Sequence, residues 1–162
     1  TLSPSSAASD VYKRQTSFKA TDIIVISGLV RPSGRQRFVR RVVQISEVIG
    51  DGEFGDLMVY DDSRDNLIPT DVFNYRSEKI GRVARSWGMS LEDAIKNIEV
   101  RARYRQMIVD YAISNRRPDM LSAEWVVASN NVFWSLVERY GTNYGAIMDE
   151  WTSWFEERVH SA

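Results

Sequence analysis

The chain has 162 residues, with 21 Lys and Arg set against 22 Asp and Glu, one His and no Cys. The lack of Cys excludes disulfides and thiolate metal sites, and a formal net charge of -1 argues against an unspecific nucleic-acid binder. No run approaches the roughly 18–20 apolar residues of a membrane helix, so no direct membrane span is expected.

Residues 1–15, TLSPSSAASDVYKRQ, are rich in Ser and Ala and carry no usable period. They resemble translated adapter remnants of the kind found in metagenome-derived sequences. The segment is read as a non-native or disordered tail and set aside from the fold, with the native protein continuing upstream.

Residues 16–70 read as strands. Ile23, Ile24, Val25 and Ile26 form a β-branched apolar run suited to a buried strand. Arg31, Pro32, Ser33 and Gly34 are a turn signal. Residues 38–49 are rich in Val and Ile, with Val43, Ile45 and Ile49 on one face and Val42, Gln44, Ser46 and Val48 on the other. Gly50, Asp51 and Gly52 break that run. Leu57, Met58, Val59 and Tyr60 make a third strand, and Leu67 to Pro69 can pair back across the polar turn at 61–66. The expectation is an antiparallel β-meander with Ile23, Val25, Val43, Ile45 and Val59 buried in one sheet core.

Residues 71–162 read as a helical subdomain. Ser77 caps a short helix with Ile80, Val83, Ala84 and Trp87 on one stripe, and Gly88 stops it. Ser90 caps a long helix whose apolar positions are Leu91, Ala94, Ile95, Ile98, Ala102, Ile108, Val109 and Ala112. Asn115 to Pro118 ends it. Ser122 opens a third helix, closed by Gly141, and a fourth runs to the C-terminus. Trp125, Phe133, Leu136, Ile147 and Trp151 are expected to bury together. The fold class is therefore α+β.

Chemistry is sparse. No GxxxxGK[ST] loop exists to cradle phosphate, and Gly50, Gly52 and Gly55 read as a hairpin turn. His160, two residues from the end, reads as a solvated side chain. Asp61, Asp62 and Asp65 read as a polar turn, since the offsets of a calcium loop are missing. No nucleophile–base set can be assembled. No catalytic residue and no metal or cofactor site is therefore assigned. Two basic groups remain. Arg31, Arg35, Arg37, Arg40 and Arg41 offer bidentate, charge-assisted contacts, and Arg31, Arg40 and Arg41 are the candidates for a subunit interface or a phosphate contact. The competing reading is a solvated hairpin whose basic edge blocks aggregation. Arg101, Arg103 and Arg105 lie on the long helix, where Glu99 and Arg103 have ion-pair spacing.

The segment Lys19 to Val25 resembles the strand that follows the catalytic core of type II/type IV secretion system ATPases. Val39 to Val48, VRRVVQISEV, resembles their "RRV..I.EV" strand, and Leu57 to Asp61 is similar to the "LF.WD" strand. Ser77 to Ile80 with Gly88 to Ser90 resembles a small helical step, and Glu99, Arg101 and Met107 fall where the family has its "E..R...L..M" helix. The likeness is best to archaeal archaellum and pilus motor ATPases and covers residues 19–115. Arg105 departs from it, standing where the family usually has an apolar residue, and the final helices carry more Trp. The resemblance implies the C-terminal edge of a RecA-like sheet and a hexameric motor using Mg-ATP, with the nucleotide-binding motifs upstream. It also implies a membrane platform protein as partner and a cytoplasmic place at the inner membrane face.

Two other classes compete. Residues 77–105 have the outline of a helix-turn-helix, but Glu92 and Asp93 would open the recognition helix and repel a DNA backbone, so nucleic acid is not expected as partner. The helical half alone would serve as a protein-interaction module.

Overall fold

A computed structural model describes residues 20–34, 36–50 and 53–161. The expectations for the 1–15 tail, Lys19, Arg35, Asp51 and Gly52 fall outside those residues. Four strands, β1 (Ile23–Val30), β2 (Val39–Val48), β3 (Phe54–Asp61) and β4 (Asn66–Pro69), are followed by four α-helices: α1 (Glu78–Ser86), α2 (Leu91–Ser114), α3 (Ala123–Tyr140) and α4 (Tyr144–His160). The strands lie in sequence order and every neighbouring pair is antiparallel. The architecture is α+β, a β-meander followed by helices.

Turn chemistry fixes one end of the sheet. Ser33 and Gly34 both take positive φ, 48° and 70°. The Ser33 hydroxyl donates to the Asp62 and Ser63 carbonyls at 3.3 and 3.1 Å, and its N–H donates to the Asp62 carbonyl at 3.2 Å. The β1–β2 and β3–β4 turns are thus laced together. Asp65 also sits at positive φ, 49°, which Asp tolerates better than most residues. Its carboxylate accepts two bonds from Arg41, at 2.8 and 2.9 Å, and one from the Tyr60 hydroxyl at 2.9 Å. Asp61 closes the turn by accepting from the Ser63 N–H and hydroxyl.

The chain divides into two compact units after Glu92. The first holds the sheet and α1. The packing that runs on past residue 70 has a physical basis. Thr70 leaves β4 and accepts the Val72 N–H on its hydroxyl, turning the chain into the π-helical turn Val72–Arg76. Phe73 of that turn and Ala84 of α1 are then buried, as are Val48 and Leu57 of the sheet. Gly88, at φ 68°, ends α1 as Gly can: Met89 N–H bonds the Ala84 carbonyl and Gly88 N–H the Arg85 carbonyl.

The expected sheet core is corrected. Ile23, Val25 and Val59 are 41%, 57% and 39% exposed, while Val43 and Ile45 are half-buried. The alternation is real but little covers it. β1 is an edge strand, and the buried sheet positions are Ser46, Glu47, Val48, Gly55 and Leu57, near the β2–β3 turn.

Asp22, just before β1, accepts bonds on one oxygen from Lys79 at 2.9 Å and from Arg82 at 2.7 Å. The Lys79 bond, then the Arg82 bond, hold its carboxyl below the usual aspartate range. Stabilisation from a lowered carboxyl is present above its unfolded pKa and is lost as pH falls through the folded value. In the absence of a competing ligand, this clasp should therefore loosen as the solution is made acidic. An NMR titration of the Asp22 carboxyl should show the lowered midpoint, and K79M should move it upward. An unchanged midpoint in that variant would rule the clasp out.

The second unit contains nearly all of α2 together with α3 and α4. Trp125, Phe133, Leu136, Ile147 and Trp151 are all buried, as the sequence spacing predicts. The α2 stripe is only partly as expected: Ala94, Ile95, Ile108 and Ala112 are buried, but Ile98 and Ala102 are exposed. Tyr104 takes the central place instead, its ring 4.8 Å from Trp151 and 5.5 Å from Phe133. The Trp151 indole N–H donates to the Ser129 carbonyl at 3.2 Å. Arg116, at φ 53°, stands where a helix end usually has Gly; Arg117 N–H bonds the Ala112 carbonyl and closes α2.

Candidate interaction surfaces

The arginines singled out near the first hairpin do not converge. Arg31 is exposed, with its guanidinium 4.1 Å from the centre of the Phe38 ring. Arg40 is exposed and pairs in register with Leu29, whereas Arg41 pairs with Gly28. Consecutive strand residues project from opposite faces, so Arg40 and Arg41 cannot grip one ligand. Arg41 is taken up by Asp65, and that pairing raises its already high pKa further. Arg41 is thus a structural clamp on the β3–β4 turn, leaving Arg31, Arg37 and Arg40 as exposed cations. On α2, Arg101 lies over the Trp134 ring, 5.6 Å from its centre, while Arg103 and Arg105 are exposed.

Two features escaped the sequence reading. The first is Glu47, which is fully buried. One of its oxygens accepts from the Ser77 hydroxyl at 2.6 Å and the Lys79 N–H at 3.0 Å; the other accepts from the Glu78 N–H at 3.0 Å. A helix leaves its first N–H groups without intrahelical partners and carries partial positive charge there. Glu47 answers both from across the fold, while Ser77 accepts the Ile80 N–H at 3.1 Å. The spacing of 30 residues between Glu47 and Ser77 gives no local signal. That end of α1 is therefore already occupied by an anion, and no external one is needed there.

The second feature is a basic rank at every third position: Arg76, Lys79, Arg82 and Arg85. Lys79, Arg82 and Arg85 lie on α1, where residues three apart are neighbours, and Arg76 ends the turn before it. These four line a cleft of about 490 Å³, with Tyr75 and Leu91 also on its wall. Asp22 engages Lys79 and Arg82. Among the described residues, no carboxylate lies within ion-pair reach of Arg76 or Arg85. The spacing is legible in the sequence, alongside the apolar stripe of the same helix.

No group of His, Asp or Glu suited to hold a metal ion occurs among the described residues, and none of their helices is long and apolar enough to cross a membrane. What the surfaces offer is binding: an open apolar strand edge and a cationic cleft. Searches against protein-family models and against curated proteins each return no match.

Proposed function

We propose that this chain is the non-catalytic C-terminal part of a hexameric ATPase that assembles pili or archaella or drives secretion, working at the inner face of the membrane. In this reading it contributes strands to the motor sheet and helices that contact a neighbouring subunit or a membrane platform protein. Mg-ATP belongs to the upstream motor. The observation that carries the reading is the outer strand. β1 lies at the edge of the sheet, and Val25 and Leu29 are 57% and 61% exposed there, with Ile23 and Ile26 also open. A free apolar edge strand is a hazard unless something covers it, and a sheet continuing from an upstream domain would do so. The resemblance supports the same view, since its "RRV..I.EV" residues are those of β2.

Two results are expected. The genomic reading frame upstream of Thr16 should encode a GxxxxGK[ST] loop, and the 162-residue chain itself should show no Mg-dependent ATP turnover above a heat-killed control. An in-frame stop upstream with no such loop, or turnover by this chain alone, would overturn the reading.

A further inference from the structure

We infer that the cleft along α1 is a binding site for an oligophosphate group, meaning two or more phosphates held close together. This inference does not depend on the motor reading.

The argument starts from unbalanced charge. Four cations line one cleft, and the carboxylates beside it include Glu78 on its wall, Asp22 on Lys79 and Arg82, and the buried Glu47 beneath the first turn. The Glu47 charge is absorbed by three hydrogen bonds and by the helix end. Arg76 and Arg85 keep their guanidinium donors uncommitted to any carboxylate among the described residues. Both are exposed side chains, and nothing in the packing requires a cation at either place. A single phosphate would engage one or two of these side chains. The rank runs from Arg76, before α1 begins, to Arg85 in its last turn, a stretch that one phosphate cannot cover. Guanidinium groups bind phosphate oxygens through two parallel N–H bonds, which ammonium groups cannot do. The rank therefore reads as Arg76 and Arg85 gripping outer phosphates, while Lys79 and Arg82 exchange Asp22 for the ligand. The cleft volume falls within the usual range of small-ligand sites, about 300–1,000 Å³. It is too polar for an apolar ligand.

The phosphates have two possible sources, a free oligophosphate or anionic lipid headgroups. The full chain is titrated calorimetrically with sodium tripolyphosphate at physiological ionic strength. In parallel it is sedimented with vesicles of equimolar phosphatidylcholine and phosphatidylglycerol. The variant R76Q/R85Q removes the uncommitted pair; R103Q/R105Q removes the same charge from α2. Loss of tripolyphosphate affinity by tenfold or more in R76Q/R85Q, with less than a twofold change in R103Q/R105Q, is expected. If vesicle binding shows the same dependence, the headgroup is the source; if vesicles do not bind, the source is free oligophosphate. Both substitutions lie on exposed side chains, and unchanged far-ultraviolet circular dichroism checks folding. The inference fails if neither probe binds, or if both variants lose equally. It also fails if a DNA duplex binds with a steep salt dependence that tripolyphosphate does not compete away.

Discussion

Replacing Phe133 by Ala should destabilise the helical unit by about 3–5 kcal/mol, the range for truncating a buried Phe. Phe133 is fully buried on α3, with the Tyr104 ring 5.5 Å and the Trp134 ring 5.4 Å away, the latter edge-on. Ala is a better helix former than Phe, so propensity would slightly offset the loss rather than add to it. The cost comes from the cavity and from the aromatic contacts, each worth roughly 0.5–1.5 kcal/mol beyond area burial. The neighbours cannot easily collapse into the gap. Tyr104 is stacked on Trp151, and Trp151 is tied by its indole N–H to the Ser129 carbonyl. Small units have total stabilities of about 5–15 kcal/mol, so the loss is a large share. Near-ultraviolet circular dichroism should follow the melt through the Trp signals, with the midpoint falling by roughly 12 °C or more. F133L keeps most of the volume and should fall much less. A loss below about 1 kcal/mol for F133A would mean that this core is not packed as described.

How much of this was legible depends on the kind of signal. Helical cores announce themselves, because Trp125, Phe133, Leu136, Ile147 and Trp151 recur at helical spacing and all are buried. Turn signals were equally plain: Gly88 ends α1 and the residues before Pro118 end α2. The sheet misled for a definable reason. Alternation tells which residues share a face but not whether anything covers that face, and among the described residues no strand pairs with the outer side of β1. Tyr104 lies off the α2 stripe that runs through Ile98 and Ala102, and those two positions are exposed while Tyr104 is buried. The Arg41 clamp leaves no local signal, since its partner, Asp65, lies 24 residues on in a segment whose sequence says only polar turn. Long-range polar contacts of this sort leave no period in a single sequence.

Glu47 is the clearest such contact, and its removal is the second large effect. E47A should cost the sheet unit about 3–5 kcal/mol. Two backbone donors, the Glu78 and Lys79 N–H groups, would lose their partner, and an unsatisfied buried donor costs roughly 1–3 kcal/mol. The Ser77 hydroxyl would lose its acceptor as well, though it can still cap α1 by accepting from Ile80. The negative charge at the helix start would also go, an effect of up to about 2 kcal/mol in a partly buried setting. These terms overlap, so they do not add in full. E47Q separates shape from chemistry. It preserves the packing and one carbonyl acceptor, but its amide N–H₂ would face a donor, so about half the E47A loss should remain. S77A tests the same junction from the other side, and the double variant should lose less than the sum of the singles by about 1 kcal/mol or more. Urea unfolding gives the energies, and hydrogen exchange at Glu78, Lys79 and Ile80 gives the location, with protection at those amides falling first. If E47Q matches the parent and E47A costs less than about 1 kcal/mol, the carboxylate is filling space rather than holding α1 to the sheet.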